Sequence, residues 1–118
     1  MAFYFNNKLS VDIENKQYTI DLSTNKVMNS VREIKEKSLQ IANKKDIVET
    51  DIENYTESMK RFIKEAIGEA SYLDIFTNDE FIFEDIAALV QFLLVEIEKF
   101  KKEKLEKFNP NKTPKKIN

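Results

Sequence analysis

The chain has 118 residues, of which 42% are hydrophobic and 34% are charged, and its formal net charge is −2. This composition is typical of a single globular domain, and the absence of Cys and His excludes disulfides, thiol chemistry, the commonest metal ligand and the usual general base. No apolar run reaches the roughly 18 residues of a membrane span, and no signal-peptide pattern opens the sequence, so we expect a soluble, unexported protein.

An alternation of apolar and polar residues near the N-terminus predicts an antiparallel β-hairpin over about residues 5–22. Its expected buried face consists of Leu9, Val11, Ile13, Tyr18, Ile20 and Leu22. Asn15 favours a turn, but no Gly follows it, so we expect a loop of four or five residues between the strands. The aromatic run Phe3-Tyr4-Phe5 could form a third strand.

Two amphipathic patterns with helical spacing follow the hairpin. Ser23 or Thr24 is expected to cap the first helix, whose apolar face is thin, and a break is expected around residues 43–46. The second helix is expected to begin at a capping box in Thr50-Asp51-Ile52-Glu53. Its apolar stripe consists of Ile52, Tyr55, Met59, Phe62, Ile63, Ala66 and Ile67.

Gly68, the only glycine of the chain, follows that stripe. Because glycine is costly inside a helix but freely adopts positive φ, we expect Gly68 to end the second helix in a left-handed conformation. A short helical turn through Tyr72, Ile75 and Phe76 should come next, and Thr77 or Asn78 should cap the last helix.

The last helix differs from the others because few polar residues interrupt residues 81–97. A helix that is apolar nearly all round must be buried nearly all round, so it is either the central helix of the core or one that presents an apolar side to a partner. The candidate partner-binding residues are Phe76, Phe81, Phe83, Phe92 and Val95. The predicted fold is therefore mainly α (α+β), with an N-terminal hairpin followed by three main helices, the last one long and highly apolar.

The C-terminal end is basic, while the rest of the chain is acidic. From Lys99 onward eight Lys oppose two Glu, so this part has a charge of +6 and residues 1–98 a charge of −8. We interpret the basic end as a solvated helix end, followed over residues 109–118 by a basic tail that we expect to be disordered, outside a domain of residues 1–108. Nucleic-acid binding is not expected, because Phe100 and Phe108 are too few for a stacking platform.

The sequence contains no pattern typical of a catalytic or metal site. Asp79-Glu80 and Glu84-Asp85 place carboxylates together, but acidic residues at a helix start are typically explained by the helix dipole. One glycine cannot form a phosphate-binding loop or a nucleophile elbow. We therefore expect a non-enzyme with no metal and no cofactor.

The segment Ala66-Ile67-Gly68-Glu69-Ala70, followed by Ile75-Phe76, resembles the "LGEGxxxxIF" signature of tail assembly chaperones from long-tailed phages of Gram-positive bacteria. The order of a hairpin, helices, this block and a final helix resembles that family too, and Phe108-Asn109-Pro110-Asn111-Lys112 is similar to its terminal "YNPNR" string. The chain departs from the pattern in having one glycine where the family often has two and Lys112 in place of arginine.

The resemblance implies a non-catalytic assembly factor of the host cytoplasm, absent from the mature virion. Such a factor would bind the hydrophobic tape measure protein, and also the tail tube protein, and would itself be a homo-oligomer that does not bind membranes. Two other classes stay open: a small phage-encoded inhibitor of a host enzyme, and a structural subunit that remains in the tail.

Overall fold

The computed structural model describes residues 1–107, which form an antiparallel hairpin followed by four helices. The strands are β1 (Lys8–Ile13) and β2 (Lys16–Asp21), and the helices are α1 (Lys26–Ala42), α2 (Glu49–Ile67), α3 (Glu69–Ile75) and α4 (Phe83–Lys107). A 3₁₀ turn at Thr77–Asp79 joins α3 to α4. The predicted mainly helical fold with an N-terminal hairpin is confirmed. The predicted tail of residues 109–118 lies outside the described residues.

The hairpin has the predicted inner face but a tighter turn than expected. Val11 pairs with Tyr18 and Leu9 with Ile20, so these four side chains lie on one face, and Val11 and Ile20 are buried. Only Glu14 and Asn15 lie between the strands, and both have positive φ, at 50° and 66°. A two-residue loop with positive φ at both positions matches the right-handed twist of the strands. The predicted four- or five-residue loop is therefore wrong.

The aromatic run at the N-terminus does not add a third strand. Phe3, Tyr4 and Phe5 precede β1 without regular structure, and they are 72%, 83% and 81% exposed. The sheet of residues 1–107 has two strands only. Such a sheet is marginally stable in water on its own, and here it is stabilised by packing against α2 and α4.

The helix starts differ from the predicted ones. Asn25, rather than Ser23 or Thr24, precedes α1 and makes no side-chain cap bond, while the Lys26 N–H at the start of the helix donates to the Thr24 hydroxyl at 3.4 Å. At α2 the Asp51 carboxylate accepts a hydrogen bond from the Val48 N–H at 3.0 Å. Val48 is therefore the residue before the helix, two residues ahead of Thr50, where the predicted capping box begins. α4 begins at Phe83, four residues later than a cap at Asn78 would give, because the 3₁₀ turn intervenes.

The centre of the fold is α2, which packs against α1, α3, α4 and β2. The buried stripe of α4 faces α2 and β1 and covers only one side of the helix. Its members are Ile86, Leu89, Val90, Leu93 and Ile97. Of the two alternatives for the last helix, the central helix buried nearly all round is not observed, since Phe92 and Val95 stay 38% and 47% exposed. Among residues 1–107, no helix has the combination of length and apolar character needed to cross a membrane.

Gly68 ends α2, as predicted, but not in the left-handed helical conformation. Its φ is 95° and its ψ is 151°, a combination that is open almost only to glycine. The Gly68 N–H donates to the Lys64 carbonyl at 2.9 Å, and the Gly68 carbonyl accepts the Tyr72 N–H at 3.0 Å. One residue thus closes α2 and opens α3, and the backbone turns sharply between the two helices.

We expect Gly68→Ala to lower the free energy of unfolding by about 1–3 kcal/mol, because this backbone conformation is strained for any residue with a Cβ. A Cβ at Gly68 would meet no atom within 4 Å, so the loss comes from the backbone alone. Gly68→Asn is the matched variant. Asn tolerates the left-handed helical region but not this one, so urea denaturation should show a similar loss for both variants. An Asn variant close to wild type would contradict the observed conformation.

Candidate functional site

A groove of about 780 Å³ lies between the hairpin turn, the α3–α4 connection and the first half of α4. We call it the apolar groove. It is lined by Asp12, Ile13, Glu14, Ile75, Phe76, Glu80, Phe81, Ile82, Asp85, Ala88, Leu89 and Phe92. These residues come from three separate parts of the sequence, which only the folded chain brings together.

The base of the groove is formed by side chains that also belong to the core. Ile13, Phe76 and Leu89 are each less than one tenth exposed, whereas Phe81 and Phe92 at the edges are both 38% exposed and Ile82 is 63% exposed. Aromatic and branched apolar side chains with this exposure are costly in water and are typical of the centre of an interface. The groove therefore offers an apolar surface that residues 1–107 leave uncovered.

The rim of the groove is acidic. Asp12 and Glu14 lie on the hairpin side, Glu80 on the connection and Asp85 on α4, and no Lys or Arg is among the lining residues. All four carboxylate side chains are exposed to solvent. A rim of one sign attracts a partner of the opposite sign and disfavours partners with acidic flanks. An apolar segment with flanking Lys or Arg would complement this surface in polarity and charge.

The connection that supplies Phe81 and Ile82 is held by one carboxylate. Asp79 accepts a hydrogen bond from Lys60 Nζ at 2.8 Å on one oxygen and from the Tyr72 hydroxyl at 2.5 Å on the other. Asn78 and Asp79 both have positive φ, at 60° and 59°. Lys60 Nζ also lies 5.1 Å from the centre of the Phe81 ring, in cation–π geometry. The edge of the groove is thus fixed to α2 and α3 through Asp79.

The electrostatics of this cluster favour its charged form. The hydrogen bond from Lys60, followed by that from Tyr72, lowers the pKa of Asp79 below its usual value. Burial on its own would lower the pKa of Lys60, but the hydrogen bond to Asp79 and the charges of Glu57 and Asp79 outweigh burial and raise it. Burial and the bond to Asp79 raise the pKa of Tyr72. The three groups therefore stay in their ordinary charge states at neutral pH.

The opposite wall of the groove is joined to α3 by an exposed pair. Lys16 Nζ lies 2.9 Å from Asp74 Oδ2, and the Tyr18 hydroxyl donates to the same oxygen at 3.2 Å. The hydrogen bond and charge of Lys16 lower the pKa of Asp74. Because these groups are exposed, the pair orients the hairpin more than it stabilises the fold.

The structure brings together three of the five candidate residues and separates the other two from them. Phe76, Phe81 and Phe92 line the apolar groove, whereas Phe83 and Val95 lie on α4 outside its lining and are 37% and 47% exposed. Phe76 is itself buried, beside the Tyr72 ring at 5.3 Å, so it forms the base of the groove rather than a free contact. The candidate residues predicted from the sequence do not include Ile82, Asp12 or Glu14, although the apolar run Phe81-Ile82-Phe83 is a visible signal for Ile82. Glu80 and Asp85 were predicted only as acidic residues at a helix start.

Within residues 1–107, no group of three or more acidic side chains is placed to hold a metal ion. Asp79, at the edge of the groove, is already occupied by hydrogen bonds from Lys60 and Tyr72.

No protein-family model matches this chain, and no curated protein or solved structure matches it either.

Proposed function

We propose that this protein is a non-catalytic phage tail assembly chaperone that binds the hydrophobic tape measure protein and keeps it soluble while the tail tube assembles. The observation that carries the proposal is the apolar groove, whose exposed edge residues Phe81, Ile82 and Phe92 have no covering element within residues 1–107. The resemblance of the block around Gly68 to the tail chaperone signature supports it. The protein would act in the host cytoplasm and be absent from the finished virion.

The groove is suited to a helical client segment. Its apolar base follows the first half of α4, so a client helix could lie along it and bury residues spaced three and four apart. The acidic rim would contact Lys or Arg at the flanks of that helix. The proposal includes a long and highly apolar last helix. The side chains of α4 that lie outside its buried stripe, Phe92 and Val95 among them, would form the client surface.

The proposal is tested by co-expression with fragments of a phage tape measure protein. We expect wild-type protein to move a fragment from the pellet to the soluble fraction and to co-purify with it. Glu80→Lys combined with Asp85→Lys reverses part of the rim and should weaken that effect through repulsion of a basic client. The matched control is Glu36→Lys with Glu53→Lys, which changes the net charge equally at exposed residues outside the groove.

Three outcomes separate the proposal from its alternatives. Equal solubilisation by the rim variant and the control would contradict a role for the groove. A structural subunit would be found by mass spectrometry in purified particles, at a fixed ratio to the tube protein. An inhibitor of a host enzyme would leave the tape measure fragment insoluble and would lower the activity of a purified host enzyme instead.

A further inference from the structure

A second exposed surface lies at the far end of α4, where the N-terminal segment is attached to the helix. Six residues define this surface, which we call the aromatic end: Phe3, Tyr4, Phe5, Phe100, Lys104 and Lys107. Together with Asn6 and Glu103 they line a cavity of about 370 Å³. Lys104 Nζ donates to the Asn6 carbonyl at 2.8 Å and also to the Asn7 side chain, so the aromatic segment is fixed against the helix.

The N-terminal rings of the aromatic end are uncovered, and two of them form a corner. Phe3, Tyr4 and Phe5 are each more than 70% exposed. The ring centres of Phe3 and Phe5 lie 4.9 Å apart and the ring planes cross at 84°, which is an edge-to-face contact. Exposed aromatic side chains that surround a cavity are typical of the centre of a protein interface. The corner between the two crossed rings suits one apolar side chain of a partner.

The charge around this corner is positive. From Lys99 to Lys107, α4 has five Lys against Glu103 and Glu106, which gives this helix end a charge of +3. The chain after Lys107 has three more Lys and no acidic residue, so it repeats the charge of the aromatic end and does not complement it. The complementary groups are the carboxylates of Asp and Glu on another protein.

The ring geometry favours a short peptide over a nucleic acid. Single-stranded nucleic acid binds where successive bases stack on aromatic faces and a continuous basic groove follows the phosphates. The fold brings the N-terminal aromatic residues to Phe100, but the crossed rings of Phe3 and Phe5 do not offer parallel faces for successive bases. Glu103 lines the cavity beside the two lysines, so the basic side chains form no continuous track.

We propose that the aromatic end binds an acidic peptide segment of a partner protein. One aromatic or branched apolar side chain of the segment lies between the rings, and its flanking carboxylates lie beside Lys104 and Lys107. Phe92 and Lys104 are twelve residues apart on α4, about 18 Å at about 1.5 Å per residue, so this site is separate from the apolar groove. The two sites prefer ligands of opposite charge, because the rim of the groove is acidic. This inference does not depend on the proposed chaperone function.

Fluorescence anisotropy with three labelled synthetic peptides tests the site. The first peptide has a central Phe between runs of Glu, the second has Ser in place of that Phe, and the third has Lys in place of every Glu. We expect wild-type protein to bind the first peptide about tenfold or more tightly than the second, because an apolar side chain in the corner supplies most of the binding free energy. Added salt should weaken binding of the first peptide.

Two variants locate the bound peptide. Tyr4→Ser with Phe5→Ser removes two rings from a segment without regular structure, and it should weaken binding of the Glu-flanked peptide by about tenfold or more while leaving that of the Lys-flanked peptide unchanged. Lys107→Glu reverses one exposed charge and should weaken the Glu-flanked peptide by about fivefold.

The matched controls lie outside the aromatic end. Leu39→Ser with Ile47→Ser changes two apolar residues that are 63% and 51% exposed, and Lys45→Glu makes the same charge change as Lys107→Glu. Both controls should bind the Glu-flanked peptide like wild type. Circular dichroism confirms that each variant is folded.

Three results would overturn the proposal. In the first, the folded Tyr4 and Phe5 variant binds the Glu-flanked peptide as tightly as wild type does. In the second, wild-type protein binds an oligothymidylate or phosphatidylglycerol vesicles more tightly than the peptide, and this binding is lost in the same variant, so that the surface is a site for nucleic acid or membrane. In the third, the variant alone differs from wild type in sedimented mass, so that the surface is a contact between copies of the chain.

Discussion

Asp79→Ala is expected to lower the free energy of unfolding by about 3 kcal/mol, the largest loss that one substitution of a polar side chain should produce in this fold. Lys60 is only 8% exposed and Tyr72 is fully buried, and both lose their hydrogen bond to the carboxylate. Lys60 keeps Glu57 at 3.4 Å, which limits the loss. Alanine also tolerates the positive φ of this residue less well than aspartate does.

Asp79→Asn removes the charge but keeps the backbone conformation, because Asn tolerates positive φ and still accepts a hydrogen bond from Tyr72. We expect it to cost less than Asp79→Ala, and Tyr72→Phe to cost about 1 kcal/mol. Urea denaturation of Asp79→Asn, Tyr72→Phe and the double variant gives the coupling free energy between the Asp79 and Tyr72 side chains. Additive effects of the two substitutions would contradict a direct bond between them.

The same carboxylate gives the stability a defined pH dependence. Because the pKa of Asp79 is lowered in the folded state, the charged form stabilises the fold above the unfolded pKa of about 3.9, and this contribution is lost as the pH falls through the lower folded value. The stability difference between wild type and Asp79→Asn should therefore be constant from about pH 5 to 8 and shrink below about pH 4. A difference that grows with acid would contradict the ion pair.

Local patterns in the sequence were sufficient for the hairpin and the helices, because periods of 2 and 3.6 residues follow directly from burying one face of a strand or helix. Val11 and Ile20 face inward for this reason, as do Met59 and Phe62 on α2. The helix starts were not predictable in the same way. Ser23 and Thr24 both have cap chemistry, yet the chain enters α1 through Asn25.

The groove itself could not be predicted from the sequence. Its walls are about sixty residues apart along the chain, at the turn after Ile13 and at Ile75, and only packing against α2 brings them together. The acidic rim arises in the same way, since Asp12 and Glu80 have no relation in sequence. Aromatic residues were the one sequence signal for the groove. That signal did not distinguish Phe76, which is buried, from Phe92, which is exposed.

The second large effect is expected on binding. Phe92→Lys together with Val95→Lys should abolish client solubilisation while helix content, measured by circular dichroism, stays near wild type. Phe92 and Val95 lie three residues apart on α4 and are 38% and 47% exposed, so a lysine at either residue can extend its ammonium group into water. The free energy of unfolding should therefore fall by only about 1–2 kcal/mol, well below the 5–15 kcal/mol of a typical domain.

Two matched variants show whether the loss of client solubilisation comes from the exposed side of α4. Leu93→Lys, one residue away but fully buried, should unfold the domain, because a buried ammonium group without a partner costs several kcal/mol. Leu39→Lys with Ile47→Lys adds the same charge at apolar residues that are 63% and 51% exposed, and it should leave solubilisation intact. If the Phe92 and Val95 variant is folded and still keeps a tape measure fragment soluble, the exposed side of α4 is not the client surface.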